Sequence, residues 1–118
     1  MMQRLHVGAR LSEAAVANGV IYLAGQVAEQ RPDADITGQT REVLGHIDRL
    51  LSECGSDKSR LLSVQIFLAD IGDIAAMNAV WDAWVAPGAA PPRATVQAAL
   101  ADPRWRIEIV AIALRADA

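Results

Sequence analysis

Residues 106–114 read RIEIVAIAL. In an extended strand, Ile107, Ile109, Ala111 and Ala113 point one way, and Val110, Ile112 and Leu114 point the other. Both faces are therefore apolar. A sheet face that meets water alternates apolar with polar residues instead. Residues 61–69, LLSVQIFLA, are apolar on both faces in the same manner. Two such strands call for cover on both sides of one sheet.

The rest of the chain supplies cover for one side. From Ile36 to Cys54 the period is helical, with Val43, Leu44, Ile47, Leu50, Leu51 and Cys54 on one face. Arg41, Asp48, Arg49 and Ser52 lie away from that face, and Gly55 is a C-terminal stop. A second helix starts at Asp73 as N-cap and carries Ile74, Met77, Val80, Trp81, Trp84 and Val85 as its stripe. Pro87 and Gly88 end it. Near the N-terminus, RLHVG reads as a short edge strand. AAVANGVIYLAGQ reads as a hairpin turning at Asn18-Gly19, and VAEQRPDAD as a loop. Two strands close the chain, Arg93–Leu100 and Trp105–Leu114, joined by the turn ADPR and expected to pair as an antiparallel hairpin. The order is β-β-β-α-β-α-β-β. It predicts an α+β fold, a mixed β-sheet with two helices packed on one face. The uncovered apolar face predicts a homo-oligomer that packs sheet against sheet.

A length of 118 residues suits a single domain over 1–118. With 53% hydrophobic and 21% charged residues, the chain falls outside the range of disordered sequences. Its net charge of -3 gives a phosphate backbone little to neutralise, so no nucleic-acid partner is expected. One cysteine, Cys54, excludes an internal disulfide. The N-terminus lacks the apolar run of a signal peptide, and no segment approaches the ~20 apolar residues of a membrane span. A soluble cytoplasmic protein without membrane contact is expected.

No Gly-rich phosphate loop and no Cys/His set with zinc spacing occurs, so neither metal nor cofactor is expected. His6 and His46 read as surface histidines, and Cys54 as a buried, inert thiol. Two charges stand out. Arg93 follows Pro91-Pro92 in APPRATV, and Glu108 interrupts the apolar final strand. A carboxylate there is costly unless it is paired or hydrogen-bonded. The residues alone leave two readings open for each. Arg93 is a solvated strand end or a ligand anchor. Glu108 is a rim residue or ion-pair partner, or a group that handles water. Their offsets do not guarantee contact within one chain, and a meeting across a subunit boundary is the other geometry.

Four ordered blocks carry a resemblance: YLAGQV, IDRLLSECGSDKSRLLSVQIFLADIGDIAAMNAVWDAW, PPRATVQAAL and RIEIVAIA. Together they resemble the Rid family (reactive intermediate deaminases, YjgF-like), closest to its YoaB-like branch. The resemblance implies a chorismate-mutase-like fold and a homotrimer with ligand clefts between subunits. It also implies a cofactor-independent enamine/imine deaminase that turns 2-imino or 2-enamino acids into 2-oxo acids and ammonia. Arg93 then binds the substrate carboxylate, Glu108 places the hydrolytic water, and the Gly25 backbone lines the cleft. Asn78 matches an asparagine of the second helix, either a structural hydrogen-bonder or a ligand contact. The chain departs from the family at two cleft positions. ARLSEAAV stands where active members resemble GPYSQAV, so Leu11 replaces a tyrosine. Thr95 stands where cysteine is frequent. These changes bear on substrate range. The alternative is a non-catalytic trimer that binds a small carboxylate or has a regulatory or protective role. An RNA-cleaving activity is also linked to the family, and the acidic balance weighs against it here.

Overall fold

The computed structural model describes residues 2–117. Its elements run β1 (Met2–Val7), β2 (Ser12–Ala17), β3 (Val20–Leu23), β4 (Gln26–Val27), α1 (Ile36–Glu53), β5 (Leu61–Leu68), α2 (Ile74–Trp84), β6 (Arg93–Gln97) and β7 (Ile107–Leu114). The double-sided strand β7 is paired on both edges, to β3 and β4 on one side and to β5 on the other. The sheet order is β1-β2-β3-β7-β5-β6, with β4 extending the β3 side. All pairings are antiparallel except β5 with β6.

This order corrects one expectation. β6 and β7 do not form a hairpin, because β5 lies between them. β6 returns through α2 and pairs parallel to β5, as a helical crossover allows. The connection from 98 to 106 then rounds the end of β5. Ala98 N–H donates to Leu68 O at 2.9 Å, and Ala69 N–H donates to Arg106 O at 3.0 Å. Those tethers end β6 at Gln97 and delay β7 until Ile107, so both strands are shorter than predicted.

The helices cover one face. α1 packs against β7, β4 and β3, and α2 packs against α1. Ile107, Ile109, Ala111 and Ala113 are completely buried beneath them, with Val64, Ile66 and Leu68 of β5. The opposite face carries Tyr22, Phe67, Val96, Val110, Ile112 and Leu114. Tyr22 and Val96 keep 49% and 47% of their surface exposed. The expected open apolar face is present.

Local signals account for most boundaries. Asn18 and Gly19 both have positive φ, 53° and 76°, which gives the β2–β3 hairpin the primed turn matching strand twist. Asp35 caps α1 by accepting Gly38 N–H at 2.8 Å. Gly55 ends it at φ 77°, with Ser56 N–H donating to Leu51 O at 2.8 Å. Asp73 occupies the N-cap position of α2 but its side chain makes no capping bond. A single 3-10 turn, Ile71–Asp73, leads into the helix instead, and Asp70 caps that turn through Gly72 N–H at 2.8 Å. No helix among the described residues is long and apolar enough to cross a membrane.

Two buried polar clusters tie the loop after β4 to the body. Gln39 is fully buried, and its amide donates to the carbonyls of Pro32, Ala34 and Arg104. Its carbonyl accepts Arg106 N–H at 2.8 Å. One side chain thus joins the loop, α1 and the approach to β7. One turn on, Glu42 accepts the N–H groups of Gln30 and Arg31 and sits 2.8 Å from His46 Nε2. His46 is therefore a buried residue, not the surface histidine expected. Burial alone would raise the Glu42 pKa. The Gln30 and Arg31 amides and the His46 imidazole outweigh it and hold the carboxyl below its usual range.

Gln39→Leu keeps the volume and strands four backbone groups, so we expect a loss of roughly 2–4 kcal/mol. A urea midpoint equal to wild type would contradict the role given to this amide. Since the native Glu42 pKa lies below its unfolded value, its contribution is complete above the ordinary carboxylate range and is lost as pH falls through the lowered value. Glu42→Gln should flatten the acid limb of a stability–pH curve, measured by denaturant midpoints, and parallel curves would refute it.

Candidate functional site

The predicted site residues separate into two groups on opposite faces of the sheet. The separation follows from register. Arg93 pairs with Val64, which pairs with Ala111, and this row faces the helices. Glu108 pairs with Phe67 on one side and Val27 on the other, and this row belongs to the open face. Val64 and Phe67 are three residues apart on one strand, so their side chains point in opposite directions. The two backbone positions are three residues and two strand spacings apart, roughly 14 Å. Arg93 and Glu108 of one chain therefore do not share a cleft.

The first group is built around Arg93. Its backbone is set by the preceding prolines, Pro91 being buried and Pro92 offering its carbonyl to Val64 N–H at 3.0 Å. The guanidinium lies against α2, where Nη2 donates to Asn78 Oδ1 at 2.8 Å. Its Cζ is 5.1 Å from the centre of the Trp81 ring. No carboxylate among the described residues forms a salt bridge with it, and most of its five donors stay available. Thr95 is two residues further along the same face of β6. Its Oγ1 is buried and has no hydrogen-bond partner among the described residues.

The second group is Glu108 and Gly25. Gly25 follows β3, and a Cβ built there would collide with the Glu108 carboxylate. The absence of a side chain at 25 is thus what makes room for that carboxylate. Glu108 forms no salt bridge or hydrogen bond with another described residue. Leu11 belongs to the same end of the sheet. Ala24 N–H donates to Glu13 O at 2.9 Å, and continuing that register brings Leu11 alongside the 24–26 segment. Leu11 is 60% exposed.

Sequence reading passed over one member of the first group, Trp81, which it assigned only to the apolar stripe of α2. The signal was available. Asn78 and Trp81 are three apart on a helix and so share a face. Cys54 is buried at the end of α1, and burial raises its thiol pKa, with the Glu53 charge adding to the effect. Among the described residues, no three of His, Cys, Asp and Glu gather closely enough to hold a metal ion.

Comparison with known proteins matches this fold. The family model described as endoribonuclease L-PSP covers residues 1–115. A RutC family protein of Haemophilus influenzae is 52% identical over 112 residues, 95% of this chain and 97% of that one. RutC family protein YoaB of Escherichia coli is 44% identical over 110 residues, 93% of this chain and 95% of the relative. The crystal structure of a YjgF family member from Neisseria meningitidis superposes with a TM-score of 0.94 at 49% identity, covering 100% of this chain and 98% of the other. The mixed sheet with two helices on one face is the fold of those relatives, and the chain belongs to the YjgF, or Rid, family.

Proposed function

We propose that the protein is a cofactor-independent enamine/imine deaminase whose site forms between copies of the chain. In this reading Arg93 and Asn78 of one copy face Glu108 and Gly25 of the next. The observation that carries it is Arg93 itself: a half-buried guanidinium, fixed at its base and at one amino group, with no carboxylate partner among the described residues. Such a group suits the planar carboxylate of an incoming acid, which it grips with two parallel N–H donors.

The chemistry follows from the pieces. A 2-enamino acid first tautomerises to the 2-imino acid, carbon gaining a proton and nitrogen giving one up. The C=N carbon is already electrophilic, so the reaction needs a placed water rather than a metal. Glu108 takes a proton as the water oxygen bonds to that carbon, giving a tetrahedral carbinolamine. The same carboxyl returns the proton to nitrogen. Glu108 then relays the hydroxyl proton to nitrogen as the C–N bond breaks, so that ammonia leaves and the 2-oxo acid remains. Holding carboxylate and water in one geometry supplies the main benefit. The unpartnered Thr95 hydroxyl lies buried on the Arg93 side of the sheet. The open apolar face, buried between copies as a homotrimer, brings the two groups together.

Leu11 favours a second reading. It puts an exposed apolar side chain where active relatives are expected to hold a phenol. A non-catalytic trimer that binds small carboxylates would keep Arg93 and need no Glu108. RNA, named in the description of the matching family model, finds little electrostatic support on a chain of net charge -3.

To test the reading, 2-iminopropanoate is generated in situ from the amino acid, and formation of the 2-oxo acid is followed. Wild type should outpace buffer. Arg93→Ala should lower kcat/KM by roughly 10²-fold or more through loss of the bidentate contact. Glu108→Gln should lower kcat by about 10²–10⁴-fold as expected for a lost general base. Gly25→Ala should act like Glu108→Gln, because its methyl displaces the carboxylate. No acceleration by wild type, with the 2-oxo acid still bound, selects the second reading. Light scattering should give three times the 12.6 kDa chain mass, and a monomer would refute the assembly.

A further inference from the structure

We infer that Trp81 is a positioning residue that fixes the plane of the Arg93 guanidinium and aims its free edge at a ligand carboxylate. The inference rests on the reading of Arg93 as the anchor. Asn78 alone holds the guanidinium at one point, and a group held at one point still swivels. A ring face 5.1 Å below Cζ removes that freedom by favouring one orientation of the fork.

The shelf is itself rigid. Trp81 is 6% exposed, and the Trp84 ring lies 5.4 Å away at 49°. Trp84 Nε1 in turn donates to Asp48 Oδ2 of α1 at 2.9 Å. Lys58 Nζ lies 5.1 Å from the Trp84 ring centre. The choice of neighbours matters as much as their stiffness. Asn78 and Trp81 are both neutral, so they orient the cation without neutralising it. A carboxylate in either place would compete with the ligand. The full charge of Arg93 is kept for the incoming acid, and less motion is lost when that acid binds.

The test compares Trp81→Phe with Trp81→Leu. Both open a cavity, so both cost stability, but only Phe keeps an aromatic face. The probe is 2-oxopropanoate, with its Kd measured by calorimetry and melting temperatures recorded alongside. Trp81→Phe should bind within about threefold of wild type, and Trp81→Leu should bind roughly tenfold more weakly. In the imine assay the Leu variant should raise KM and leave kcat near wild type. If the Leu variant does not fold, Trp81→Met fills more of the cavity and serves as the non-aromatic arm. Equal Kd values for the Phe and non-aromatic variants, with binding abolished in Arg93→Ala, overturn the role of Trp81 and leave the anchor standing. No binding by wild type, or undiminished binding by Arg93→Ala, overturns both. The expected Kd pattern without imine hydrolysis upholds the role of Trp81 and overturns the deaminase reading alone.

Discussion

Side chains on a β-strand alternate, and at β7 that alternation is held in place from both edges. Ile107 and Ile109 are completely buried under the helices. A slip of one residue would turn both to the open face, at a cost of about 1.5–3 kcal/mol for each side chain. The register that protects them also decides where Glu108 goes. It must stand on the face away from α1 and α2. The pairing of β6 with β5 places Arg93 on the other face by the same rule. One constraint, needed for the core, thus divides the polar residues of the site into two groups pointing opposite ways.

Each group is then shaped by local features of its own. On the helix side, two prolines, a carbonyl docked on Val64 and the asparagine and tryptophan of α2 hold one arginine. On the open side, a glycine leaves room for a carboxylate that a methyl group would displace. Gln39 bonds both the loop that follows β4 and the Arg106 amide two residues before Glu108. The stability of the loop and the placement of the carboxylate therefore depend on the same buried amide.

Much of this was legible in the sequence, for physical reasons that differ by element. The apolar residues of β7 and β5 announced a sheet buried on both faces, because no solvated strand tolerates that pattern. The 3.6-residue period of α1 and the Asn18-Gly19 turn were equally plain. Strand partners were not. An antiparallel hairpin between 93–100 and 105–114 fitted local turn chemistry, but pairing is decided by which strand buries best beside β7, and β5 is the longer and more apolar candidate. Asp73 does take the N-cap position of α2, but the capping bond is made one 3-10 turn earlier, by Asp70, because the two aspartates offer similar signals three residues apart. His46 looked like a surface residue because its partners, Glu42 and the loop amides Glu42 holds, come together only in the folded chain. Arg93 and Glu108 could be singled out from residue type and resemblance. That they occupy opposite faces required the register.

The central claim is that the two groups act together only across a boundary between copies. Mixing Arg93→Ala chains with Glu108→Gln chains tests it directly. Each variant alone lacks one half of every site. If the halves come from neighbouring copies, co-refolding equal amounts assembles some boundaries with an intact Arg93 on one side and an intact Glu108 on the other. Random mixing in a trimer then restores imine hydrolysis to about a quarter of the wild-type rate per chain. If the co-refolded mixture assembles and is no more active than its two parents, the halves do not meet between copies, and the account is wrong.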